Sequence, residues 1–146
     1  HGLLAVSDAM RGVLDAAQAK GGGHIVNVLS RRGHLGIIND APELQKRVAC
    51  KSQDRSTLQE LCNELVDGDP GWPAGDVYGA SKLLAYSATR MLSREHLQNG
   101  TGVIVSAVCP GFVRTRMGGP MAMLSPAQGA RVVVKLAQTD TSSLDS

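Results

Sequence analysis

Tyr78-Gly79-Ala80-Ser81-Lys82 sets a phenol and an ammonium four residues apart. On a helix those positions share a face. A phenol, with an ordinary pKa of about 10, is a poor proton carrier at neutral pH. A cation held beside it favours its charged form and turns the pair into an acid–base couple. Ser30 follows the apolar run His24-Ile25-Val26-Asn27-Val28-Leu29. If that run is a strand, Ser30 stands at its carboxyl end, where open α/β sheets bind ligands, and its hydroxyl could hold a substrate oxygen. Pro110-Gly111-Phe112-Val113-Arg114-Thr115 follows a second apolar run. Proline and glycine turn the chain there, so backbone groups and the Thr115 hydroxyl would face the same crevice. Taken singly, these are an exposed helical pair, a turn residue and a plain loop. Together they form a constellation at one end of a sheet.

The elements that must position them follow from periodicity. Leu3, Val6, Met10, Val13, Leu14 and Ala17 predict one amphipathic helix ending at Gly21-Gly22-Gly23. Residues 24–29 lack alternation, as in a strand buried on both faces of a parallel sheet. Pro42 to about Ala49 reads as a short helix. Ser56 to Asp67 reads as a firmer one, with Ser56 and Gln59 as a capping box and Leu58, Leu61, Cys62, Leu65 and Val66 as its apolar stripe. Gly68, Pro70, Gly71 and Pro73 break the chain. A long helix from about Val77 to Gln98 closes at Asn99-Gly100, and a second strand covers Gly102 to Val108. Ser125-Pro126-x-Gln128 opens a last helix, and the polar tail from Thr139 to Ser146 is expected to fray. This is α/β alternation. The two strands should be adjacent and parallel, with the long helix as a right-handed crossover between them. Two strands are few for a parallel sheet, so the chain is read as part of a larger fold.

Composition narrows the function. In 146 residues, 15 Lys and Arg against 13 Asp and Glu leave a net charge of +2, too small to point to nucleic acid or an anionic membrane. Aromatic residues are only 3%, which argues against a base-stacking platform. Cys50, Cys62 and Cys109 are odd in number and form no C-x-x-C. Reduced thiols in the cytoplasm are therefore expected, without a disulfide framework or zinc. His1, His24, His34 and His96 show no ligand spacing, so no metal site is expected. No run of 18 apolar residues and no signal peptide is visible.

The order strand–Ser30, Tyr78-x-x-x-Lys82, Pro110-Gly111-x-Val113-x-Thr115 resembles the C-terminal half of a classical short-chain dehydrogenase/reductase, and most of all the carbonyl reductases of that family. Asn27-Val28-Leu29-Ser30 is similar to their N-V-S-S, with Leu29 in place of the first serine. Ala41-Pro42-Glu43-Leu44-Gln45, Gly71-Trp72-Pro73, Cys109-Pro110-Gly111 and Ser125-Pro126-x-x-Gly129-Ala130 resemble further stretches, so the likeness runs from about residue 2 to 137.

The resemblance implies an α/β fold, a partial Rossmann-like doubly wound parallel sheet lacking the N-terminal βαβ half and the last strand. Residues 1–146 would be part of a single NAD(P)-binding domain, and 31–75 a helical insertion between the catalytic Ser and Tyr. It implies NADPH-dependent reduction of a ketone, aldehyde or quinone, with NADP preferred over NAD by family analogy alone. Tyr78 would be the general acid–base, Lys82 would favour the phenolate and bind the nicotinamide ribose, and Ser30 would hydrogen-bond the substrate oxygen. Pro110, Gly111, Val113 and Thr115 would hold the carboxamide end of the cofactor, and Trp72, Met117 and Met121 would border the substrate pocket. The insertion implies a monomer. The family's T-G-x-x-x-G-x-G loop, its N-N-A-G stretch and the asparagine of its catalytic tetrad have no counterpart here. The chain is thus expected to be an internal piece, inactive alone. A non-catalytic remnant or interaction module of the same fold remains an alternative. A sugar-nucleotide epimerase shares Y-x-x-x-K, but Pro110–Thr115 and the insertion argue against it.

Overall fold

A computed structural model describes residues 2–18 and 23–139. The predicted N-terminal helix is two helices, α1 (Gly2–Ala9) and α2 (Arg11–Gln18), broken at Met10. The Met10 carbonyl accepts from the N–H groups of both Val13 and Leu14 at 3.0 Å, a tightened turn at the joint. Gly12 follows at once and weakens the helix by about 1 kcal/mol relative to alanine. Val6, Met10 and Val13, the middle of the expected buried stripe, are exposed, and only Leu3 and Leu4 pack on the core. The stop predicted at Gly21-Gly22 and the tail from Asp140 lie outside the described residues.

Strands β1 (His24–Val28) and β2 (Ile104–Val108) pair in parallel, from His24↔Ile104 to Val28↔Val108. The Leu29 N–H extends the ladder to the Val108 carbonyl at 2.7 Å. Helix α5 (Val77–Gln98) connects the strands as expected and packs on β2. Asn27 Nδ2 donates to Thr89 Oγ1 at 3.0 Å, tying β1 to α5. Asp76 caps α5 by accepting from the Gly79 N–H at 2.8 Å. Ala80, Leu83, Leu84, Ala88, Met91 and Leu92 form its buried face. The strands are mostly half-buried rather than covered on both faces, with only Val108 fully buried. Among the described residues the sheet has two strands, so both of its edges lack a neighbour. Helix α6 (Pro126–Ala137) starts on the predicted capping box, with Gln128 N–H on Ser125 Oγ at 3.2 Å and Ser125 N–H on Gln128 Oε1 at 2.8 Å. It packs on both strands.

Between β1 and α5 lie a 3-10 turn at Leu35–Ile38, which periodicity did not reveal, and helices α3 (Pro42–Ala49) and α4 (Arg55–Asp67). The cap of α4 is Asp54, not Ser56. Asp54 Oδ1 accepts from the Thr57 N–H at 2.8 Å and from the Ser56 hydroxyl at 2.9 Å. A carboxylate is the better acceptor at a helix N-terminus, and it displaces the serine from that role. Leu44, Val48, Leu58 and Leu61 join Ile38, Trp72 and the buried face of α5 in one core. Val66, the last residue of the predicted stripe, is exposed. No helix among the described residues is long and apolar enough to cross a membrane.

Arg55 pins α4 to its neighbours. Its guanidinium meets Glu95 of α5 at 2.8 and 2.9 Å and Asp8 of α1 at 2.8 and 3.1 Å. That contact holds both carboxyls below their ordinary values of 3.8 and 4.5. A carboxyl whose folded value is depressed stabilises above its unfolded value and loses that contribution as pH falls through the folded one. Arg55→Met should therefore lower unfolding free energy by about 1 kcal/mol at neutral pH, the scale of partly exposed pairs. In urea titrations the gap to the parent should close as the pH drops below the ordinary carboxylate range.

Candidate active site

Backbone contact builds the site. After β1 the chain turns through Ser30–Gly33, with the Gly33 N–H on the Ser30 carbonyl at 3.0 Å. A Cβ on Gly33 would stand 2.6 Å from the Lys82 carbonyl carbon and 2.7 Å from the Leu83 nitrogen. A Cβ on Gly79 would stand 2.9 Å from the Arg32 carbonyl oxygen. Loop and helix thus meet with glycine on each side, at a separation side chains would prevent. The turn carrying Ser30 rests on the two turns of α5 that carry Tyr78 and Lys82.

Lys82 Nζ donates to the Val28 carbonyl at 3.4 Å and lies 5.7 Å from the centroid of the Tyr78 ring. The predicted i,i+4 pair is therefore a real juxtaposition at the carboxyl end of β1. The ring is half-open, with Tyr78 40% exposed. Sequence reasoning missed a second cation. The Arg32 guanidinium lies 5.9 Å from the same centroid, within the range of cation–π attraction. Arg32 Nη2 pairs with Asp76 Oδ1 at 2.9 Å. The Gly79 N–H, and then Arg32, hold the Asp76 carboxyl below the usual range. The available signals were weak: an arginine two residues after Ser30 and an aspartate two before Tyr78.

The other predicted residues lie at the carboxyl end of β2, beside β1. Gly111 has φ +83°, a left-handed conformation suited to glycine. Val113 bridges to Leu124, and the Arg114 N–H meets the Leu124 carbonyl at 2.7 Å. The Thr115 hydroxyl accepts from the Gly118 N–H at 3.2 Å and donates to the Val113 carbonyl at 3.5 Å. Pro110 packs through its carbonyl against Gly129 of α6. The residues expected around a substrate pocket are dispersed. Trp72 is 5% exposed and belongs to the core, whereas Met117 and Met121 are 86% and 83% exposed.

The Gly33 contact should be sensitive to a single methyl. Gly33→Ala should destabilise the protein by about 1–3 kcal/mol, since rigid backbone opposes the new Cβ. Gly75→Ala, where nothing lies within 4 Å, should stay within about 0.5 kcal/mol of the parent. Denaturant midpoints of the two variants check this.

The family model described as short chain dehydrogenase matches residues 66–124. That stretch holds Tyr78, Lys82 and Pro110–Thr115. Carbonyl reductase (NADPH) 1 of Oryctolagus cuniculus is 35% identical over 126 residues, covering 80% of this chain and 45% of that protein. The Homo sapiens protein of the same name is 32% identical over 124 residues, covering 79% and 44%. The chain thus spans less than half the length of these curated relatives. The solved structure of salutaridine reductase from Papaver somniferum shares the fold, with a TM-score of 0.78 at 23% identity over 93% of this chain and 48% of that one. The residues matched and the fold they build agree with those of short-chain dehydrogenases/reductases, which this chain resembles.

Proposed function

We propose that this chain contributes the acid–base and nicotinamide-facing part of an NADPH-dependent reductase acting on a ketone, aldehyde or quinone. The observation that carries the reading is Tyr78, half-open, with the Lys82 ammonium 5.7 Å from its ring at the carboxyl end of a parallel strand. Similarity to proteins named carbonyl reductase (NADPH) 1 supports the choice of reaction and of NADP over NAD.

The donor set fits the nicotinamide-ribose end of such a dinucleotide. An ammonium and a phenol one helical turn apart suit ribose hydroxyls. The Thr115 hydroxyl with the backbone around Pro110, Gly111 and Val113 suits a carboxamide. When bound, the dinucleotide supplies the hydride. The chain's own residues handle the oxygen. The Ser30 hydroxyl accepts the Arg32 N–H at 3.3 Å, which leaves its proton to donate to the substrate carbonyl. Tyr78 passes its proton to that oxygen as negative charge develops, a positioned transfer worth about 10²–10⁴ in rate. Lys82 stabilises the phenolate left behind. The helices at 31–75 are the insertion that, on this reading, covers α1 and α5 and keeps the protein monomeric.

In the full-length protein, NADPH oxidation with 1,4-naphthoquinone, benzaldehyde and acetophenone tests this. Tyr78→Phe should lower kcat by at least about 10² with NADPH affinity nearly intact, because only the proton-transfer group is lost. Lys82→Ala should impair both. Undiminished turnover in Tyr78→Phe would overturn the role of Tyr78, and a parent that oxidises no NADPH with any of the three substrates would be a non-catalytic member of the fold.

A further inference from the structure

Arg32 touches both halves of the proposed site. Its backbone N–H donates to Ser30 Oγ at 3.3 Å. Its carbonyl oxygen lies where a Cβ on Gly79 would stand 2.9 Å away. Its guanidinium pairs with Asp76 Oδ1 at 2.9 Å and lies 5.9 Å from the Tyr78 centroid. Asp76 Oδ1 also accepts the Gly79 N–H at 2.8 Å, so one oxygen serves both the start of α5 and the latch.

We infer that Arg32 is a positioning residue: latched to Asp76, it sets the Ser30 hydroxyl against the Tyr78 phenol and keeps a second cation over that ring. The inference rests on the proposed roles of Ser30 and Tyr78. Two magnitudes separate it from a merely structural part. The Arg32 side chain is 62% exposed, and an ion pair this open adds little to stability. Its loss leaves the fold in place. A displacement of about 1 Å between reacting groups, by contrast, costs up to about 10² in rate. The latch should therefore appear in turnover and not in folding. The Lys82 ammonium cannot replace it, because Lys82 reaches back to the Val28 carbonyl and makes no bond to the loop beyond Ser30.

The test compares Arg32→Gln, Arg32→Lys, Asp76→Asn and Arg32→Gln/Asp76→Asn in the full-length protein with NADPH and 1,4-naphthoquinone, beside Tyr78→Phe. Asparagine still accepts from the Gly79 N–H, so Asp76→Asn removes the charge that holds the latch and keeps the cap. Arg32→Gln and Asp76→Asn should each lower kcat about tenfold while KM for NADPH stays within about twofold. The double variant should be no worse than either single one, as partners in one interaction are not additive. Arg32→Lys, which keeps the charge, should recover most of the loss. Should Arg32→Gln fail to fold, Asp76→Asn decides alone. If the latch variants turn over like the parent while Tyr78→Phe is inactive, the role of Arg32 is overturned and the reductase reading stands. If Tyr78→Phe retains parental turnover, the role of Tyr78 falls instead. Additive losses in the double variant, or no recovery with lysine, would also overturn the latch.

Discussion

Two glycines, one in the loop after β1 and one in α5, decide where everything else in the site can be. Gly33 in the loop after β1 and Gly79 in the first turn of α5 let main chain lie against main chain. Without that approach Ser30 would stand at the end of a strand and Tyr78 on a separate helix, with nothing to fix their separation. The polar contacts refine a spacing the backbone has already set. Lys82 reaches the end of β1, Arg32 reaches the cap of α5, and each crosses only a short gap.

The support for this contact comes from farther away. Helix α5 is held along its length by different means: Asn27 to Thr89 on the sheet side, the apolar core of Leu58, Leu61 and Trp72 on the other, and Arg55 with Glu95 toward its end. The helices between β1 and α5 thus act as a buttress on the helix that carries Tyr78 and Lys82. Rigid elements around a site keep reacting groups in register more reliably than loops do.

Local patterns were legible in the sequence, and relations across the fold were not. The span Val77–Gln98 and the box at Ser125 and Gln128 are governed by neighbours in the chain, and both appear in the structure. Ser56 was misread because Asp54, two residues earlier, competes for the same N–H groups. The single N-terminal helix failed because periodicity reports which side chains are apolar, not whether a surface is there to receive them. Trp72 sits among prolines and glycines, and composition cannot tell a pocket wall from a core residue. The pairing of Arg32 with Asp76 depends on how the loop after β1 lands on α5. No spacing rule encodes that landing. The Tyr78–Lys82 pair was visible because a helix brings i and i+4 together by itself.

The contact of the Arg32–Gly33 main chain with α5 also has a consequence for how such a protein can diversify. A contact made of main-chain atoms carries no titratable group and no net charge, so salt and pH leave it alone. It is equally indifferent to the side chains around it. Exposed side chains such as Phe112, Met117 and Met121 can be exchanged without altering the main-chain contact that sets the loop after β1 on α5. The spacing between the loop after β1 and α5 and the character of the exposed surface are therefore inherited on separate parts of the chain.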